Sequence, residues 1–193
     1  MDKDRIEAFS DGVIAVIITI MVLEMKVPHG IELATLKPIV PVFLTYLLSF
    51  VFVGLYWNNH HHMFQAVKHV DGAVLWANLH LLFWLSLVPF VTGWVGENPG
   101  APWPAALYGV ILLMAGVAWL FLVRAIQAHN GRSPELMELV KDDRKAKLST
   151  ALYVISVGAA FVRPWIAEAL YAVVALLWVV PDRRIEAKLS AEG

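Results

Sequence analysis

Asp11 is the first residue whose position asks for chemistry. It lies two residues inside an apolar run that opens at Phe9, and a carboxylate at that depth needs partners. Arg5 is six positions away, about 120° around a helix, outside the i,i+3 and i,i+4 spacings that bring side chains together. The partners must therefore come from other segments. Two stretches offer them: Trp57-Asn58-Asn59-His60-His61-His62, and Trp76 with Asn78 and His80. A carboxylate and imidazoles in one apolar setting permit acid–base catalysis, metal ligation or proton relay. Consecutive histidines on a helix point about 100° apart, so His60, His61 and His62 do not converge on one ion. A metal site would need His80 or Asp11 from neighbouring helices, and none is expected. No nucleophile motif or cofactor fingerprint accompanies these residues, so neither an enzyme nor a cofactor is expected. A proton-coupled or proton-conducting membrane transporter is the alternative, although the broken helices in paired halves typical of transporters are missing. The bland reading is structural: a polar belt fixing the first helix against the second and third.

The elements that would hold such a belt are membrane spans. The chain has 193 residues, 59% hydrophobic and 16% charged, with mean hydropathy +0.66. A soluble domain is about 45–50% apolar and about 25% charged, and a globule this small could not bury the difference. The absence of cysteine excludes disulfides, thiolate metal centres and a thiol nucleophile. A net charge of −1 gives no sign of nucleic-acid binding. Six apolar runs predict an all-α membrane protein: Phe9–Val27, Ile39–Trp57, Ala73–Val95, Pro104–Val123, Leu148–Val162 and Trp165–Val180. The first four match the ~20 residues that a spanning helix needs. The last two are short and flank Arg163-Pro164, which reads as a tight hairpin or, alternatively, as one kinked helix. Mixed charges from Asp2 to Glu7 and the lack of a small-residue cleavage site argue against a signal peptide.

With the N-terminus inside, twelve Lys and Arg fall on the cytoplasmic side, and Lys26, Lys37 and Arg163 alone fall outside. That asymmetry predicts six spans with both termini cytoplasmic. Trp94 and Trp103 suit an outer aromatic belt, and Trp57, Trp76 and Trp178 an inner one. The whole of 1–193 reads as one six-helix domain with a polar connector at about 124–147. There, Ser133-Pro134-Glu135 predicts the start of a short amphipathic helix.

On the first helix, Val16, Ile20 and Leu23 fall within about 60° of one another, with Thr19 beside them. Such a row is either a packing seam between helices or a pore wall whose apolar ring gates by dewetting.

The motif Arg5-x-x-x-Phe9-Ser10-Asp11, running into an apolar helix that ends Leu23-Glu24-Met25-Lys26-Val27-Pro28, resembles the transmembrane protein 175 family of potassium channels. Tyr56-Trp57-x-x-His60-His61, Pro89-Phe90 and Pro181-Asp182-Arg183-Arg184 extend the resemblance to prokaryotic members with a single repeat. It implies a homotetramer whose first helices line a central pore. It also implies a potassium-preferring cation channel in the cell (plasma) membrane, with K⁺ as the permeant ion and modest selectivity over Na⁺. No Thr-Val-Gly-Tyr-Gly filter is present, and none is expected. By offset from the motif, the implied constriction is Val16, Ile20 and Leu23, with Thr19 linked to cation preference. Arg5, Phe9, Ser10 and Asp11 are implied to be structural, tied to Trp57, His60, His61, Asn78 and His80. The family often carries Ile where this chain has Val16. One methylene fewer widens that ring or moves the narrowest point to Ile20 or Leu23.

Overall fold

The computed structural model describes residues 3–67, 69–130 and 143–179. All of the regular structure in them is helical: α1 (Lys3–Leu23), α2 (Val40–Gln65), α3 (Gly72–Ser86), α4 (Val88–Glu97), α5 (Pro102–Asn130), α6 (Asp143–Ala160) and α7 (Pro164–Val179). A short 3₁₀ helix, Leu33–Ile39, leads straight into α2. Among the described residues, four segments are long and apolar enough to cross a membrane: Lys3–Leu23, Leu33–Gln65, Gly72–Glu97 and Pro102–Asn130. Pro164–Val179 is a shorter apolar helix. The apolar part of α6, Leu148–Ala160, has thirteen residues and a length of about 20 Å.

The third apolar run is not one helix. It breaks at Leu87, because Pro89 has no N–H to donate to Leu85 and its ring crowds that carbonyl. Leu87 keeps helical dihedrals (φ −86, ψ −11), so the break is a kink between α3 and α4. The short runs on either side of Arg163-Pro164 form two helices packed on each other, a hairpin. Helix α5 continues through Arg124 to Asn130, and α6 starts at Asp143, so both helices take residues from the predicted connector. The amphipathic helix expected from Ser133 and the Pro181–Arg184 motif lie outside the described residues.

Helix α1 packs on α2, α3 and α4, while α5 packs on α3, α4, α6 and α7. The core between them is built from Met63, Phe64, Leu81, Leu112, Leu122 and Ile126, all essentially buried. Lipid is as apolar as these side chains, so burial does not drive helices together in a bilayer; close packing and interhelical hydrogen bonds do. Gly96 supplies one such close approach, since a Cβ there would meet the Val42 backbone at 2.7 Å.

Candidate functional site

The face that α1 turns to the rest of its own chain carries Ile6, Ser10, Ile14, Ile17 and Met21, all buried. These follow steps of four and three residues, the period of a single helical stripe. The polar groups sit at the N-terminal end of that contact. The Asp11 carboxylate accepts from Trp57 Nε1 at 3.0 Å. One turn earlier, His61 Nδ1 meets Glu7 Oε1 at 2.9 Å, and Gln65 Nε2 meets His61 Nε2 at 2.9 Å. Helices α1 and α2 run antiparallel here. Asp11 and Glu7 step down one while Trp57 and His61 step up the other, four residues per rung, and the Trp57 and His61 rings stack at 6.1 Å.

A second chain of bonds reaches α3. Ser10 Oγ donates to the Ile6 carbonyl at 2.8 Å, so it must accept from Asn78 Nδ2 at 2.9 Å. Asn78 Oδ1 in turn accepts a hydrogen bond from His60 Nε2 at 2.8 Å. Ser10, Asn78 and His60 are all buried, and His60 stacks on Phe64 at 4.4 Å. His60 Nδ1 is a buried polar atom without a hydrogen-bond partner. No group of three or more His, Asp or Glu able to hold a metal occurs among the described residues.

Three predicted members fall outside this network: Phe9, which is 54% exposed, Arg5 and His80. Arg5 is exposed and has no hydrogen bond or ion pair among the described residues. It lies about 160° around α1 from Glu7, on the far side. His80 accepts from Trp84 Nε1 at 2.9 Å within α3 and faces Phe121 of α5. It lies two positions from Asn78, about 160° around the helix. Two members were missed by the sequence reading, Glu7 and Gln65. The repeat of four down α1 and up α2 was the available signal.

The opposite face of α1 is open. Phe9 is 54% exposed, Val16 54%, Ile20 41% and Leu23 79%, and Thr19 is also exposed. Thr19 Oγ1 donates to the Val16 carbonyl at 2.9 Å, which leaves its oxygen lone pairs free to accept. This face and α4 border a groove of about 930 Å³ lined by Phe9, Val16, Ile20, Phe90 and Trp94, with Glu24 and Glu97 at one end.

Residues 5–89 match the family described as the endosomal/lysosomal potassium channel TMEM175. A potassium channel of Chryseobacterium sp. (strain P1-3) is 51% identical over 190 residues, covering 98% of this chain and 99% of that one. The crystal structure of a lysosomal potassium-selective channel TMEM175 homolog from Chamaesiphon minutus superposes with a TM-score of 0.75 at 28% identity. The match covers 92% of this chain and 96% of that one. The chain belongs to the TMEM175 family. A vertebrate member, the endosomal/lysosomal proton channel TMEM175 of Gallus gallus, is 40% identical over 101 residues, 46% of this chain and 20% of its own length. Membership puts this TMEM175 chain among membrane-spanning ion channels and not among enzymes. The Arg5-x-x-x-Phe9-Ser10-Asp11 motif falls inside the matched residues. In this member the motif divides between two faces of α1: Ser10 and Asp11 bond to other helices of the same chain, and Arg5 and Phe9 turn away from them.

Proposed function

We propose that four copies of this chain form a potassium-preferring cation channel with the α1 helices around a central axis. The observation that carries this reading is the open apolar row on α1, in a chain of a channel family whose opposite α1 stripe is fully engaged. Val16, Ile20 and Leu23 form stacked apolar rings that exclude water when closed. Thr19 sits beside them, exposed, with its oxygen free to accept. Four such oxygens replace part of the hydration shell of a passing cation. K⁺ gives up its water at lower cost than Na⁺, so K⁺ is preferred. Without a rigid carbonyl cage the preference is modest. The Ser10–Asn78–His60 and Asp11–Trp57 bonds act as structural supports that set the angle of α1, with Arg5 and Phe9 turned toward a neighbouring subunit. The two shorter helices complete six spans, with both termini in the cytoplasm and the protein in the plasma membrane. Proton passage is the second reading, favoured by the name of the vertebrate relative.

Ion flux from liposomes holding the purified protein tests the row. Thr19→Val lowers K⁺ over Na⁺ preference, and Ile20→Ala and Leu23→Ala raise leak. Wild-type flux and selectivity in all three variants remove the row from the pore. A pH-sensitive dye inside the same vesicles reports proton passage.

A further inference from the structure

Helices α2, α5, α6 and α7 border a cavity of about 120 Å³ that the channel reading does not use. Helix α2 lines it with Tyr56 and Asn59, which lie three residues apart on one face, and α6 contributes Tyr153. Among the described residues, none of these three side chains has a hydrogen-bond partner. Tyr153 is the most telling, because it is only 6% exposed and buried polar groups are nearly always paired. Among the described residues, the one side-chain polar atom fully sealed without a partner is His60 Nδ1. The two tyrosine hydroxyls and the Asn59 amide are therefore open to the cavity that they line. Helix α5 leaves room for one of them: a Cβ on Gly116 would meet the Tyr56 hydroxyl alone, at 3.8 Å. The other polar groups at the wall are engaged. Trp178 Nε1 donates to Ser149 Oγ at 2.9 Å, and Thr150 Oγ1 donates to the Ala146 carbonyl at 2.9 Å.

We propose that this cavity binds a small neutral alcohol or phenol, its hydroxyl held by Tyr56, Asn59 and Tyr153. Pockets for small molecules are mostly apolar, with a few polar groups that fix orientation. The apolar wall here includes Leu55, Leu113, Leu120 and Val123, which call for a carbon body. Among the described residues, no charged side chain lines the cavity, so the occupant that matches it is neutral. Tyrosine hydroxyls and a carboxamide both donate and accept, and so does a hydroxyl on the occupant. A hydrocarbon would leave all three protein groups unpaired, and water alone would leave the apolar wall without contacts. A cavity of about 150 Å³ takes up benzene, so this one limits the occupant to a single ring or a chain of similar bulk.

The test is binding, and it reads out whether or not the chain conducts ions. Phenol and its hydrocarbon counterpart benzene are titrated calorimetrically into the purified protein in detergent. Saturable phenol binding, with benzene at least about tenfold weaker, supports the site. The double variant Tyr56→Phe, Tyr153→Phe keeps both rings and breaks no bond within the protein. In it, phenol affinity falls by about tenfold and benzene affinity is unchanged. The proposal is overturned if phenol does not bind saturably, which leaves a cavity for water only. It is also overturned if phenol and benzene bind the wild type alike, or if the double variant binds phenol as the wild type does. The comparison within the wild-type protein stands even where the variant fails to fold.

Discussion

The bonds from His60 through Asn78 and Ser10 to the Ile6 carbonyl run in one direction, each group donating to the next. Asn78 is the pivot, since its amide ties α2 to α1 through α3 with both ends used. Interhelical hydrogen bonds in membranes average about 0.6 kcal/mol and reach about 1.7, while a buried group stripped of its partner costs about 1–3 kcal/mol. Asn78→Ala should therefore destabilise the protein by about 1–3 kcal/mol, measured by reversible unfolding in detergent. Ser10→Ala added to Asn78→Ala should cost little more than Asn78→Ala alone, because both cut one chain. Fully additive losses would show that the two residues act separately. Depth along the chain made the meeting of Asp11 with Trp57 legible. The exclusion of Arg5 and His80 turned on helical angle, about 160° from Glu7 and from Asn78 respectively, and depth alone does not report angle.

At the scale of elements, apolar runs and breakers located the helices better than their ends. Helix α1 begins at Lys3, well before Phe9, because nothing between them breaks a helix. This is what puts Glu7 and Asp11 on one stripe. Pro89 splits the third run, a boundary that hydropathy hides because both halves are apolar. The start of α3 shows a local rule at work. Asp71 has extended dihedrals (φ −112, ψ −175), and its carboxylate accepts from the Val74 N–H at 2.9 Å, an N-cap. That N–H, with His129 beside it, holds the Asp71 carboxyl below its ordinary value. A lowered value in the folded state means that the stabilisation is present above about pH 3.9, the unfolded value, and fades as pH falls through the lower folded one. Asp71→Ala should lower the melting temperature at neutral pH, and Asp71→Asn, which still caps, should stay near the wild type. Equal losses in the two variants would assign the effect to the charge and the His129 pair instead. The other anchor of this end, Asn130, brackets the His69 backbone by accepting from its N–H and donating to its carbonyl.

For the whole molecule, α1 has two stripes of different fate: one buried against α2, α3 and α4, the other bare from Phe9 to Leu23. The sequence showed the Val16–Ile20–Leu23 row as periodicity, but it could not say whether that row was covered, since a row of Val, Ile and Leu suits a seam and a pore wall equally. The proposed gathering of four copies around the bare stripe is tested on the protein in its membrane. The lack of cysteine makes it directly answerable, because any thiol introduced is the sole one. Leu23 is 79% exposed, while Val22, 42% exposed, points about 100° away around the helix. In a tetramer with α1 helices around an axis, Leu23→Cys subunits should join as disulfide-linked dimers on mild oxidation in membranes. Val22→Cys subunits should stay single. The Leu23→Cys link should also cut K⁺ flux, with recovery on reduction. The particle mass in mild detergent should equal four subunits for both variants. A single-subunit mass, or cross-linking that favours Val22→Cys, would leave the bare stripe facing lipid and remove the central pore.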